Sequence, residues 1–243
     1  MKTKSFFFLF CFIIVLIHGS NCFSKSRNVI KVALAPLILK NYSLYFERAI
    51  HKNVSFSIGG SYMPTRGLPS FITNYANDTT GTLSNISFSG LSIVPELRIY
   101  PGAKIRHEAP HGFYFTLYVK YSSYKADFPF TYKESGNTYT YNFSGNYTGI
   151  GAGIMLGHQW IIGEHFSIDW WLSGAHFGNL YSTFTMTNSS LSSINQPQFI
   201  KDIGNISFPQ GEVNTEISGN TAKLTIDAPF IGFRSGFTLG IAF

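Results

Sequence analysis

Seven charged side chains occupy alternate positions of segments whose other face is apolar, and they are the residues best placed to do chemistry. They are Lys31, Glu47, Glu96, Arg98, Lys120, Asp169 and Arg234. Burying any one of them without a partner would cost several kcal/mol, so we expect them to pair. We favour a packed polar network that holds a domain together; a path for ions or protons is the alternative.

Histidines are the other candidates for chemistry, as bases for a nucleophile that also needs an orienting acid. Those after residue 22 are His51, His107, His111, His158, His165 and His176. Most lie in or beside predicted turns, and no spacing of Ser, His and acidic residues indicates a catalytic arrangement. His176 is the best candidate base for an enzyme acting on lipid. With no metal-ligating constellation and no glycine-rich phosphate loop, we predict no catalysis, no metal and no cofactor.

The first 22 residues are typical of a signal peptide. Basic residues precede the apolar run Phe6–Ile17, which is too short for a membrane-spanning helix of about 20 residues. We place cleavage after Cys22, while cleavage after Ser20 and lipidation of Cys22 stay open. Both cysteines, Cys11 and Cys22, would then leave, so the mature domain (23–243) would have no disulfide and no thiolate chemistry.

The composition argues against a soluble domain. Charged residues make up 12% and aromatic residues 17% of the chain, whereas a typical soluble domain has about 25% charged residues. The net charge of +6 is scattered, without the dense basic patch that nucleic-acid binding would require. Low charge, many aromatics and no long apolar run in the mature chain favour a transmembrane β-barrel, whose strands alternate.

Segments of alternating apolar and polar residues recur along the mature chain, separated by turn-rich stretches. The eight predicted strands are Val29–Leu39, Asn41–Ala49, Val54–Met63, Ile86–Tyr100, Phe113–Tyr124, Gly145–Ile162, His165–Phe177 and about 225–243. Phe, Leu, Ile and Val dominate one face of each strand, while Gly, Ser, Thr, Tyr and the charges occupy the other. The sequence therefore predicts an all-β fold, an eight-stranded antiparallel transmembrane β-barrel with up-and-down topology.

The predicted connections alternate between short and long. Short turns fall at 51–53, 101–111 and 163–165, and long surface loops at about 64–85, 126–144 and 179–222. Aromatic residues within 126–144 could instead extend the flanking strands. Short periplasmic turns and long outer loops are expected of an outer-membrane barrel, and an even strand number puts both termini on the periplasmic side.

Prolines and glycines modify this scheme. Pro36, Pro95 and Pro229 fall inside predicted strands, where proline cannot donate to the ladder, so they indicate bulges or strand ends. Four glycines share the inward face of the sixth strand. They are Gly149, Gly151, Gly153 and Gly157. We expect them to make room for Tyr, Trp171 or Arg234 from neighbouring strands, or else to open a ligand cavity.

Two short stretches carry a family resemblance. The C-terminal residues Phe237, Leu239, Ile241 and Phe243 alternate with small residues, which resembles the terminal signal strand of outer-membrane proteins. That resemblance implies recognition by the barrel-assembly machinery and escort by periplasmic chaperones. The stretch Tyr45–Ala49 before the turn at 51–53 resembles small outer-membrane barrels of Bacteroidetes, the DUF3575-like group of OmpA/OmpX type. This implies location and fold more than activity.

The sequence leaves several functions open. We expect a non-catalytic barrel in the cell outer membrane, surrounded by lipid and lipopolysaccharide, with a structural or surface-interaction role through loops whose partner is unknown. A barrel enzyme that modifies lipid A or phospholipid is one alternative, and a narrow channel or small-solute carrier is another. A secreted glycoprotein is the fourth. Its acceptor sites would be Asn53, Asn85, Asn142 and Asn188.

Overall fold

The computed structural model describes residues 27–67, 85–101, 108–134, 137–163, 165–187 and 211–243, with the side chains of 130–139 left out. The predicted signal peptide (1–22), with Cys11 and Cys22, lies outside these residues. Ten strands and one short helix are described. They are β1 (Asn28–Ala33), α1 (Ala35–Ile38), β2 (Tyr42–His51), β3 (Val54–Gly67), β4 (Ser87–Ile99), β5 (Gly112–Glu134), β6 (Asn137–Ile162), β7 (Phe166–Thr187), β8 (Glu212–Ser218), β9 (Thr221–Pro229) and β10 (Gly232–Ala242).

Eight of these strands close into a barrel. Each of β1 to β6 pairs antiparallel with the next strand in the chain, and β10 pairs with both β7 and β1. The closing register joins Val29 to Ala242 and Ala33 to Thr238. The predicted eight-stranded antiparallel β-barrel with up-and-down topology is therefore confirmed.

The remaining two strands build an extension on one end of the barrel. β9 pairs with the upper part of β7, from Asn179 to Thr187, while β10 pairs with the lower part. β9 and β10 thus share the eighth position of the barrel, separated only by Phe230 and Ile231. β8 forms a hairpin with β9 on its far side. The first residues of β1 and the last residues after β10 lie at the opposite end, where the Asn28 amide donates to the Phe243 carbonyl.

The first predicted strand is too long. The prediction of Val29–Leu39 is wrong beyond Ala33, because the chain turns there into α1, with Pro36 in its first turn. Proline favours the start of a helix, where its missing N–H leaves no bond unmade. Within the described residues, no helix is long and apolar enough to cross a membrane.

In two of the predicted long loops, most of the residues that the structure describes are strand. In place of the loop at 126–144, β5 continues to Glu134 and β6 begins at Asn137, and the two pair along their whole length. In place of the loop at 179–222, β7 runs to Thr187 and β8 begins at Glu212. The loop predicted at 64–85 begins later, after Gly67, and most of it lies outside the described residues.

The other two prolines mark interruptions in pairing, as predicted. Pro95 faces Ile58 of β3, but the β4–β5 register passes from Ile93 directly to Glu96, leaving out Pro95. Pro229 ends β9, so the single last strand predicted at about 225–243 is two strands. Proline lacks the N–H that a ladder needs, which explains both positions.

The lower part of the barrel has an apolar outside and a polar inside. Leu117, Ile154 and Ile241 are 56, 67 and 65% exposed on the outer surface. Inward neighbours on the same strands are buried and polar, such as Thr116 and Thr238. This distribution confirms the predicted faces and is the one that surrounding hydrocarbon demands, since water would favour the reverse.

In the extension the distribution reverses. The lumen side of β5, β6, β7, β8 and β9 carries a second apolar core above the barrel. Its buried residues are Ala126, Tyr141, Phe143, Phe184, Met186, Ala222, Leu224 and Ile226. The opposite face is polar and exposed, as at Lys125, Asn142, Thr185 and Lys223. The extension therefore has the pattern of a sheet in water, and the reversal marks where the apolar band ends.

Candidate functional site

A polar cluster crosses the lumen, and every strand of the closed barrel contributes to it. The charged members come from β1, β2, β4, β7 and β10, and the uncharged ones from β3, β5 and β6. The contributing residues are Lys31, Glu47, Ser55, Glu96, Arg98, Tyr114, Gln159, Asp169 and Arg234. Since inward positions recur at every second residue of a strand, the cluster follows directly from the alternation in the sequence. We call it the lumen network.

Two basic side chains bridge the carboxylates at the centre of the lumen network. The Lys31 Nζ lies 2.5 Å from the Glu47 Oε2 and 2.8 Å from the Asp169 Oδ2. The Arg98 Nη1 donates to the same Asp169 oxygen at 2.8 Å, and its Nη2 donates to the Glu96 Oε2 at 2.6 Å. All five side chains are fully buried. These two bases face three acids, and Arg234 supplies the third positive charge that balances them within the barrel.

Uncharged side chains complete the hydrogen bonds of these carboxylates. The Tyr100 and Ser55 hydroxyls donate to the Glu47 Oε1, and the Tyr114 hydroxyl donates to the Asp169 Oδ1 at 2.6 Å. The side-chain carbonyl oxygen of Gln159 accepts hydrogen bonds from both Lys31 and Arg98.

Sequence reasoning missed part of this set. Tyr100 is not among the residues predicted to face inward, but it is fully buried within the barrel. Gln159 was not singled out, although it lies two residues beyond the inward Gly157 and so shares its face. The alternation identifies both residues as inward, since Tyr100 likewise lies two residues beyond the inward Arg98, but neither side chain is charged.

Arg234 and Lys120 lie at the upper edge of the lumen network and differ from each other. The Arg234 Nη1 lies 2.6 Å from the Glu96 Oε1. Its guanidinium carbon lies 4.0 Å from the centre of the Trp171 ring and 5.3 Å from that of Tyr45. Lys120 makes no ion pair with an acid in the part of the chain described, and its nearest recorded aromatic contact is Phe230, at 5.8 Å. The structure thus brings six of the seven predicted charges together and leaves Lys120 apart.

The inward glycines of β6 leave room for large side chains across the lumen. A Cβ on Gly157 would stand 2.2 Å from the Tyr114 hydroxyl, and one on Gly153 would stand 2.6 Å from the Tyr118 ring. A Cβ on Gly149 would meet Phe230. The prediction that tyrosines fill this space is confirmed, whereas Trp171 and Arg234 are not the residues that occupy it.

His176 is buried beside aromatic residues. Its Nδ1 lies 3.3 Å from the Tyr118 hydroxyl, and its ring lies 4.9 Å from that of Phe230. No carboxylate is recorded in contact with it among the described residues. Over those same residues, no group of three or more His, Cys, Asp or Glu side chains is arranged to hold a metal ion.

The outward residues of the assembly segment lie on the closing strand. Phe237, Leu239, Ile241 and Phe243 are all exposed on the outer surface, and Leu239 and Ile241 pair with β1 where the barrel closes. A recognition motif here would be accessible before closure and lipid-facing afterwards.

A closed barrel with an apolar exterior and a lumen filled by paired charges defines a class, the transmembrane β-barrels. The family model described as "Protein of unknown function (DUF3575)" matches residues 7–198, more than half of the chain. The chain belongs to this family.

A solved structure titled as CarO2 of Acinetobacter baumannii is similar at 11% identity, over 86% of this chain and 100% of that one, with a TM-score of 0.38. A search of curated proteins found no match.

Proposed function

We propose that the protein is a non-catalytic barrel of the bacterial outer membrane whose lumen is closed and whose outer extension is a surface for interaction. The observation that carries this is the reversal of polarity, which supports a barrel surrounded by hydrocarbon and an extension surrounded by water. Outer-membrane lipid and lipopolysaccharide would surround the barrel. The proposal includes a relationship to Bacteroidetes barrels of OmpA/OmpX type. It also includes a cleaved signal peptide and delivery by periplasmic chaperones to the assembly machinery.

The lumen network supports a closed barrel. An eight-stranded barrel has an interior just wide enough for side chains to fill. Lys31, Glu47 and Asp169 span that interior from three different strands and are fully buried. An ion could pass only by separating charges that neutralise each other, which is costly in a low-dielectric interior.

The extension supports a role in binding. Its exterior presents polar and charged side chains such as Lys125, Glu212 and Glu216 above the apolar band. Projections held by a rigid scaffold are where barrel proteins place recognition. The apolar core beneath these residues keeps the surface ordered without a partner.

A lipid-modifying enzyme remains the catalytic alternative, and His176 is its best candidate base. Its recorded neighbours, Tyr118 and Phe230, supply neither an acid to orient it nor an activated nucleophile. Replacing His176 with Phe should leave the lipid A profile of the cell unchanged. A changed profile would support the enzyme instead.

Membrane placement is tested by fractionating cells and comparing unheated and boiled protein on a detergent gel. We expect the protein in the outer-membrane fraction, with the unheated form migrating faster. Recovery of a water-soluble, detergent-free monomer would contradict the proposal.

Closure of the lumen is tested in planar lipid bilayers. The native barrel should show no steady ion current, whereas Arg98→Ala should show fluctuating current because its contacts to three carboxylates and Gln159 are lost. Lys125→Ala, outside the lumen, is the matched control and should stay silent. Steady native current, or a folded Arg98→Ala barrel that is silent, would contradict closure by the lumen network.

A further inference from the structure

The barrel wall has a gap on its upper side between β10 and β2. β1 ends at Ala33, opposite Thr238, and one more bond joins the Leu34 amide to the Phe237 carbonyl at 2.9 Å. Above this point, residues 232–236 of β10 pair with β7 alone within the described chain. The short helix α1 stands where β1 would have continued.

A β-bulge shapes the edge of this gap. The register between β10 and β7 shifts between Arg234 and Gly236, and the Ser235 hydroxyl donates to the backbone carbonyls of Trp171 and Leu172 at 3.1 and 3.2 Å. Gly236 has a φ of 147°, a conformation that side chains rarely adopt. The edge is therefore a fixed feature of the fold and does not depend on fraying of β10.

A cavity of about 390 Å³ lies at the gap and is lined from both sides of the wall. Ser92, Lys120 and Arg234 line it from the lumen, and Leu39, Phe233 and Phe237 are outward residues that line it too. Phe233 and Phe237 are 70 and 48% exposed. The cavity thus joins the lumen to the outer surface of the barrel.

The gap lies within the apolar band. Phe233 pairs with Ala175, and Ala175 pairs with the lipid-facing Ile154. The neighbouring surface is apolar on both strands, and the reversal of polarity occurs further up, beyond Ile150. A molecule that enters through this gap therefore comes from the membrane.

The inner end of the cavity carries positive charge that the acids of the lumen network do not balance. Three bases and three acids balance within the network, but Lys120 is not joined to any acid in the described chain. The Arg234 Nη2 has no hydrogen-bond partner there although it is buried. Hydroxyls of Ser43, Ser61 and Ser92 line the same space. These donors match an anionic group.

We propose that the gap is a lateral portal through which the cavity takes up a single-chain anionic amphiphile of the fatty-acid class. The carboxylate would bind at Lys120 and the Arg234 Nη2, and the acyl chain would lie across Leu39, Phe233 and Phe237. Ligand pockets measure about 300–1,000 Å³, so this cavity suits one chain and not a lipid with several. The lumen network closes the inner end, which makes the cavity a binding site and not a channel.

The test uses the full barrel in an uncharged maltoside detergent and the fluorescent fatty acid cis-parinaric acid. Its methyl ester has the same chain without the charge, and inorganic phosphate has charge without a chain. We expect saturable binding of the acid, at least tenfold weaker binding of the ester, and no displacement by phosphate at millimolar concentration. The comparison assumes the membrane placement proposed above, which fractionation tests separately.

Two pairs of variants locate the site. Lys120→Gln should weaken binding of the acid about tenfold, because a charge-assisted contact is lost, while Lys125→Gln on the outer face of the same strand should leave it unchanged. Ala35→Trp should obstruct the portal and weaken the binding of both the acid and its methyl ester. Leu37→Trp on the same helix, outside the cavity lining, should weaken neither. Gel mobility before heating verifies that each variant is folded.

Three results would overturn the proposal. Equal affinity for acid and ester would show that no anionic site exists. Equal effects of Lys120→Gln and Lys125→Gln in folded protein would place binding elsewhere. Displacement by phosphate alone would show a site for small free anions and no role for an acyl chain.

Discussion

At the scale of single residues, the main finding is that charges far apart in the chain meet as neutral pairs. Glu47 accepts from Lys31, Arg98, Ser55 and Tyr100, so it joins three other segments of the barrel. A buried ion pair adds little net stability compared with an apolar pair, but removing one member leaves a charge without compensation. Single substitutions in the lumen network should therefore lower the stability of the barrel more than substitutions on its exposed surface.

Glu47→Ala should lower the free energy of unfolding by about 3–5 kcal/mol, because Lys31 and Arg98 would keep buried charges with one fewer acid. The matched control is Glu216→Ala on the exposed face of β8, which should change it by no more than about 0.5 kcal/mol. Urea titration of the barrel in phospholipid vesicles, followed by tryptophan fluorescence, measures both. Similar small losses for the two variants would contradict a structural role for the lumen network.

At the scale of strands, small residues and strand ends decide how large side chains fit. The glycines of β6 lie opposite Tyr114, Tyr118 and Phe230, so the bulk of the lumen comes from the other strands. Early termination of β1 and the bulge in β10 open the wall on one side. Regular alternation sets the faces of a strand, and these local departures create the cavity.

Gly157→Ala should destabilise the barrel by about 1–3 kcal/mol, because the new methyl group meets the Tyr114 hydroxyl and displaces it from Asp169. Gly60→Ala on β3 is the matched control, since its added Cβ would contact nothing within 4 Å. The same urea titration compares them. Equal stability of the two variants would mean that Tyr114 can move without cost.

At the scale of the whole molecule, the reversal of polarity orients the protein. The apolar exterior ends below the extension, and Asn28, Phe243 and the turn between β2 and β3 lie at the other end. We expect the extension outside the cell and the termini in the periplasm.

This orientation is tested with single cysteines in a variant lacking Cys11 and Cys22. Lys223→Cys, on the extension, should react with a large membrane-impermeant maleimide in intact cells. Lys52→Cys, in the turn between β2 and β3, should react only after the outer membrane is permeabilised. Equal labelling in detergent is the control, and the opposite order in cells would invert the orientation.

The sequence alone determined the all-β class, the eight-stranded barrel and the lipid-facing side of each strand. The reason is that the two faces of a strand are read from every second residue, as at Phe115 and Tyr114. The same reading found the inward charges, including the six that form the lumen network. The alternation did not separate Lys120 from these six charges, because the partner of an inward charge depends on its position along the barrel axis.

Only the tertiary structure decided where strands end and how they extend. The segments at 126–144 and 179–222 contain alternating apolar residues such as Phe143 and Phe184, but their polar content is also typical of loops. Above the apolar band the polar face of a strand is the outer one. The upper part of β7 pairs with β9, which lies well beyond it in the chain. The gap beside β10 likewise depends on where β1 stops relative to a strand about 200 residues away, which no local pattern records.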